Sequence, residues 1–185
     1  MFSAIKESRI KGIFEITPRI LSDVRGAFIK TYHKEFFQKK GLEFDLEEQY
    51  FSSSKKDVIR GMHFQLPPHA HAKLVGCITG SVLDVLVDLR KGSPTFGQYD
   101  CFELTANRHN ILYIPVGLAH GFHALSDDAI MLYNVSTTYH KEVDTGIRWD
   151  SFSFDWKVEN PVLSARDLSF QSLHEFKSPF VYEEK

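Results

Sequence analysis

Lys73-Leu74-Val75-Gly76-Cys77-Ile78-Thr79-Gly80-Ser81-Val82-Leu83-Asp84-Val85-Leu86-Val87-Asp88 consists of two apolar runs meeting at a glycine. Runs of this length, rich in Val and Ile and divided by Thr79-Gly80-Ser81, predict strands over Lys73 to Thr79 and Ser81 to Asp88. Branched side chains pack well on a pleated surface, and glycine supplies the turn. The pattern extends outward in both directions. Upstream it predicts strands over Gly12 to Pro18, Ala27 to Tyr32, Gln49 to Ser54 and Val58 to Phe64. Downstream it predicts them over Gln98 to Leu104, Ile111 to Ile114, Gly121 to Ala124 and Ala129 to Thr137. Turn residues punctuate the series, as in Lys91-Gly92-Ser93-Pro94, Pro115-Val116-Gly117 and Ser126-Asp127-Asp128. Helical signal is confined to Lys34 to Lys40, where Phe36 and Phe37 sit among charges, and to one turn around Ser164 to Leu168. Many short, evenly spaced strands imply a mostly β fold. A double-sheet jelly roll with short helical segments suits a single domain that carries a pocket.

Composition bounds the rest. A chain of 185 residues fits one domain, residues 1–185, large enough to bury a core without disulfides or metal staples. The formal net charge is −2 and the Lys and Arg residues are scattered, so there is no electrostatic footprint for nucleic acid. The stretch Met1-Phe2-Ser3-Ala4-Ile5-Lys6 lacks a hydrophobic signal core, and no window approaches the ~18 apolar residues that a membrane helix needs. The expectation is a soluble cytoplasmic protein with no nucleic-acid or membrane partner. Cys77 and Cys101 both lie in apolar, strand-like contexts and read as small buried thiols in a reducing compartment.

The chemistry concentrates in Arg60-Gly61-Met62-His63-Phe64-Gln65 and Lys73. Together they place a guanidinium, an imidazole and an ammonium on two adjacent β segments, a set suited to holding an anion and moving a proton. Further along, Pro115-Val116-Gly117-Leu118-Ala119-His120 resembles the Pro-x-Gly-x-x-His turn of cupins, small jelly rolls with a central pocket. A metal-binding cupin also presents His-x-His and then a Glu, with a Gly seven residues after it. Here Gly80 occupies the place of that glycine, and the residue seven before it is Lys73. A fixed ammonium repels a divalent cation and cannot coordinate while protonated, so no metal is expected. His69-Ala70-His71, with His120, is the competing metal reading, of an oxygenase or isomerase type. Pro67-Pro68 marks a loop there, and the spacing to Lys73 is too short for the cupin pattern.

A narrower resemblance rests on several motifs taken together. They are the Arg60 to Gln65 segment, Lys73-Leu74-Val75, Asp84 to Arg90, Ser93-Pro94-Thr95-Phe96-Gly97, Ile114 to Phe122 and Leu163-Ser164-Ala165-Arg166-Asp167. In order and spacing they resemble the family of dTDP-4-dehydrorhamnose 3,5-epimerases, from Asp23-Val24-Arg25-Gly26 to Asp167. The resemblance implies a cofactor-independent enzyme acting at C3, C5 or both of a nucleotide-linked 4-keto sugar, in surface polysaccharide synthesis. Both hydrogens flank the carbonyl, so inversion needs a base on one face and an acid on the other. Histidine, with an ordinary pKa of ~6.5, suits the base. The resemblance assigns that role to His63, its orienting carboxylate to Asp167, enolate stabilisation to Lys73 and the proton donor to Tyr133. It also implies diphosphate binding by Arg60 and Arg25, base stacking by Tyr139, substrate contact by His120 and Arg166, and a homodimer.

The nucleotide end departs from the family. A Gln-x-Asn segment reads Glu48-Gln49-Tyr50 here, the acidic residue after the Arg-Gly motif is Lys30, and a later Glu is Asp144. Glu48 accepts hydrogens and cannot donate them, which suits a guanine edge. A GDP-linked 4-keto sugar, heptoses included, is therefore the expected variation on the dTDP substrate. Simpler roles compete: a structural hydrogen bond for His63, a helix N-cap for Asp167 and a surface pair for Arg25 with Asp23. A same-fold ketoisomerase and a catalytically silent sugar-binding cupin are the rival functions.

Overall fold

The computed structural model describes residues 2–184. The strands are β1 (Phe2–Glu7), β2 (Phe14–Pro18), β3 (Ile20–Asp23), β4 (Gly26–Ile29), β5 (Glu48–Ser54), β6 (Ile59–Gln65), β7 (Lys73–Thr79), β8 (Ser81–Asp88), β9 (Tyr99–Thr105), β10 (Ile111–Ile114), β11 (Leu118–Ala124), β12 (Ala129–Val135) and β13 (Asp144–Gly146). Two short helices, α1 (Lys34–Lys39) and α2 (Ala165–Leu168), complete the set. A six-stranded sheet in the order β1-β2-β10-β7-β12-β5 faces a five-stranded sheet in the order β13-β6-β11-β8-β9. All of their pairings are antiparallel. This is a jelly roll of the cupin type.

Strands β7, β8 and β10 coincide residue for residue with the apolar runs in the sequence. Three strands were not expected: β1, β3 and β13. Each lies at a sheet edge or in a two-stranded hairpin, where backbone pairing with a neighbour decides the conformation and no apolar alternation is required.

Alternation positions the interior. Along β12, Ala129, Met131, Tyr133 and Val135 are buried between the sheets, while Ile130, Leu132 and Asn134 face the other way. Val75, Leu112, Ile114 and Met131 of one sheet meet Val82, Leu86, Leu104, Leu118 and Phe122 of the other. Strand β11 is buried on both faces because the chain after β13 folds back over the outside of its sheet. There Trp156 and Phe180 pack with Ile59, Phe64, Val87 and Ala119, and the Trp156 indole N–H donates to the Trp149 carbonyl at 2.9 Å. That apolar cover makes β6 and β11 firm supports for whatever their inner faces carry. The two cysteines differ. Cys77 is buried as expected, but Cys101 is exposed, since it lies on edge strand β9 with its side chain on the solvent face.

Candidate active site

Between the sheets the apolar packing gives way to a cavity of about 370 Å³ lined by many ionisable and hydroxyl side chains. The close approach of β6 and β11 sets one side of it. At Gly61 the backbone has φ +149°, and an added Cβ would lie 2.5 Å from the Gly121 Cα. Only glycine permits that contact and that conformation. His63 and His120 sit opposite one another in the β6–β11 register, so their side chains leave the same face and both reach the cavity.

Behind His63 stands Asp167. The His63 Nε2–H donates to Asp167 Oδ1 at 2.8 Å, and the Gly61 N–H donates to Oδ2 at 3.2 Å. Burial raises the Asp167 carboxyl, but the His63 and Gly61 hydrogen bonds outweigh it and hold the group below the ordinary carboxylate range. Asp167 is therefore an anion, which fixes the proton of His63 on Nε2 and leaves Nδ1 free to accept another. Asp167 is not the N-cap of α2: Ser164 holds that position, its Oγ accepting from the Asp167 N–H at 3.0 Å.

Lys73, only 6 % exposed, opens β7 on the facing sheet, and its Nζ donates to the His63 carbonyl at 3.2 Å. Burial lowers its ammonium to about 8, against the pull of the Asp144 and Asp84 carboxylates. His120 Nε2 lies 2.8 Å from Asp84 Oδ2, both groups almost wholly enclosed. Burial pushes Asp84 up and His120 down, toward a neutral pair sharing one proton. Tyr133 is buried in the same wall, and burial raises its phenol so that it keeps its proton. Base, ammonium and phenol thus border one cavity, an arrangement able to remove a proton from carbon, stabilise the resulting oxyanion and supply another proton.

The polar end of the cavity carries Glu48, Tyr50, Arg60, Tyr139, Asp144 and Arg166. Arg60 is oriented by the Ser54 hydroxyl and the Ser53 carbonyl, each at 3.0 Å. Arg166 pairs with Asp144 at 2.5 Å and lies over the Phe170 ring, while Glu48 Oε2 accepts from the Tyr139 N–H at 2.7 Å. Three expected residues stand outside this set. Arg25 is paired with Asp23 in the exposed β3–β4 hairpin, and Lys30, half-buried just after β4, does not border the cavity. Gln49 points to the outer face of β5, where its amide donates to Asn134 Oδ1 at 2.6 Å. Period-two alternation explains this: with Glu48 and Tyr50 facing in, Gln49 must face out.

His69 and His71 do not converge. His69 stacks on His140 with ring centroids 3.5 Å apart, whereas His71 borders the cavity with its Nδ1 3.0 Å from the Gln65 amide nitrogen. Burial and the neighbouring Lys73 and His120 lower His71 to about 3, so it stays neutral. Among the described residues no group of three or more His, Cys, Asp or Glu side chains is arranged to hold a metal ion. Asp84, Gln65 and His71 escaped sequence reasoning as wall or support residues. An acid inside the apolar run Val82 to Val87 was the available signal for Asp84, since a buried carboxylate demands a partner.

A family model described as dTDP-4-dehydrorhamnose 3,5-epimerase matches residues 7–175. The chain belongs to this family. It is 39% identical over 168 residues to the dTDP-4-dehydrorhamnose 3,5-epimerase of Shigella flexneri, covering 89% of this chain and 93% of that one. Among solved structures, the dTDP-6-deoxy-D-glucose-3,5-epimerase of Legionella pneumophila in complex with dTDP-4-keto-L-rhamnose superposes with TM-score 0.93 at 32% identity, covering 98% of this chain and 99% of that one. A 3'-monoepimerase from Streptomyces bikiniensis in complex with dTDP-quinovose gives TM-score 0.83 at 32% identity, covering 91% and 87%. The family therefore contains double and single epimerases, and this chain is an isomerase of that epimerase class, acting on nucleotide sugars.

Proposed function

We propose that the protein inverts C3, C5 or both of a nucleoside-diphosphate 4-keto sugar by proton abstraction and reprotonation, without a cofactor. His63 Nδ1 takes the hydrogen α to the ketone. The C–H electron pair moves into a C–C double bond, and negative charge develops on the C4 oxygen. The Lys73 ammonium lies in the same cavity wall and opposes that charge, an interaction worth about 3 kcal/mol of barrier. Tyr133 O–H then delivers a proton to the carbon from the opposite face as the ketone re-forms. His63 gives its new proton to solvent, and the phenolate of Tyr133 regains one. The observation that carries this reading is that His63, paired behind with Asp167, borders one cavity with Lys73 and Tyr133. Incubation with dTDP-4-keto-6-deoxyglucose in deuterated water tests it: deuterium should enter C3 or C5. His63→Ala should abolish entry at both positions, and unchanged entry would remove His63 as the base.

Thymidine diphosphate is the carrier that the relatives support. A guanosine carrier is the second reading, and it rests on Glu48. One carboxylate oxygen is held by the Tyr139 N–H, and the other remains to accept from a base edge. A guanine edge offers adjacent donors to a carboxylate, whereas thymine offers one donor between two carbonyls. Calorimetric titration with dTDP and GDP separates the two, and a clear preference for dTDP ends the guanosine reading. The biological setting proposed is cytoplasmic supply of a sugar for surface polysaccharide.

The proposal extends to a homodimer. The outer face of the six-stranded sheet leaves Phe51 and Ile78 exposed, and the β3–β4 hairpin leaves Leu21, Val24 and Phe28 exposed. A second copy covering these residues would remove that apolar surface from water.

A further inference from the structure

Tyr133 packs against two rings. The Tyr50 ring stacks on it, with centroids 4.8 Å apart and planes inclined by 14°. The His120 ring meets it edge-on at 6.0 Å and 66°. The first contact follows from sheet register: Tyr50 of β5 pairs directly with Tyr133 of β12, so the two side chains leave the same face of neighbouring strands. The second is anchored in turn, because His120 is tied to Asp84. Tyr50 itself is 41 % exposed and makes no side-chain hydrogen bond among the described residues. Burial, with the Glu48 and Asp144 carboxylates nearby, pushes its phenol up to about 12, so its ring stays uncharged through the working range.

From this geometry we infer that Tyr50 is a positioning residue: its ring fixes the plane of Tyr133 and so sets how often the enolate is protonated on the face that inverts the centre. The inference rests on the proposed reaction. An enolate partitions between two proton donors. Return from the His63 side restores the original configuration, and return from the Tyr133 side inverts it. His63 has 28 % of its side chain exposed and trades its proton with solvent, so return from its side in deuterated water leaves deuterium without inversion. The ratio of inverted product to total deuterium entry therefore reports the orientation of Tyr133 and is indifferent to how well the substrate binds. A buried phenol whose hydroxyl is displaced by about 1 Å loses on the order of 100-fold in transfer. A flat partner at stacking distance restrains that displacement.

The test uses the full-length protein and dTDP-4-keto-6-deoxyglucose in deuterated water, with Tyr50→Phe, Tyr50→His and Tyr50→Leu. Phe keeps the ring and should keep the wild-type ratio, which shows that the Tyr50 hydroxyl is not the proton source. Leu removes the ring while retaining strand packing, and the ratio should fall about tenfold while total deuterium entry changes far less. His restores a smaller ring and should fall between. A Leu variant in which inversion and deuterium entry decline together makes Tyr50 a simple binding contact and overturns the inference. A Phe variant that loses inversion does the same. If Leu does not fold, the Phe and His pair decides, with equal ratios for both and for wild type counting against the inference. A wild-type protein that admits no deuterium with either the dTDP-linked or the GDP-linked 4-keto sugar overturns the proposed reaction, a result distinct from an unchanged ratio in an active Leu variant.

Discussion

Asp167 Oδ1 lies 2.8 Å from His63 Nε2 although 104 residues separate the two in the chain. The short helix α2, capped by Ser164, presents the carboxylate to the back of β6, and the Gly61 N–H occupies its second oxygen. An anion so placed holds His63 in the tautomer that leaves Nδ1 unprotonated. Replacing Asp167 by Asn removes the charge and leaves the shape. Turnover should fall by about 100-fold or more with little change in KM, because the loss falls on the proton-transfer step. Steady-state kinetics on purified Asp167→Asn check this, and a variant within about threefold of wild type would remove Asp167 from the mechanism.

Lys73 sets the alkaline limit. Burial brings its ammonium down to about 8. As pH rises through that value the group loses its charge, and the enolate loses its electrostatic partner. The ratio kcat/KM, which follows the free enzyme, should therefore decline above about pH 8 with slope near one. In Lys73→Arg the guanidinium stays charged, so whatever activity remains should lose that limb. A wild-type limb that persists unchanged in the Arg variant would assign it to another group.

Gly61 is fixed by space as well as conformation. Its φ of +149° and the 2.5 Å approach of a would-be Cβ to the Gly121 Cα leave no room for a side chain. Gly61→Ala should destabilise the fold by about 3 kcal/mol and displace His63 along with its strand. Urea denaturation followed by circular dichroism measures the first effect, and turnover at a denaturant-free temperature well below the transition measures the second.

The proposed homodimer predicts a surface variant with a clean readout. Phe51 is 68 % exposed on the outer face of β5, with its side chain directed away from the cavity. Phe51→Glu should shift the protein from dimer to monomer in analytical ultracentrifugation without unfolding it. A wild-type protein that sediments as a monomer at micromolar concentration would end the proposal.

What the sequence disclosed follows a physical division. Strands β7, β8 and β10 are enclosed and carry their own apolar pattern, so local composition dictates them. Strands β1, β3 and β13 draw their conformation from a neighbour, and nothing in their own residues announces it. The same division runs through the site. His63, Lys73 and Tyr133 stand in motifs that identify them, and the cavity contains all three. The aromatic packing on Tyr133 was not legible, since Tyr50 and Tyr133 meet only through the β5–β12 register. Arg25 stands in the motif stretch Asp23 to Gly26, yet in the single chain it pairs with Asp23 and does not border the cavity. A motif specifies a residue and its neighbours in sequence, whereas its direction depends on the sheet that receives it.

The carboxylate behind His63 belongs to the segment that follows β13, the same segment whose aromatic residues roof the five-stranded sheet. One stretch of chain therefore sets both the hydrophobic roof over that sheet and the tautomer of the base, so a substitution that loosens the roof, at Trp156 for example, also loosens the hold on the His63 proton.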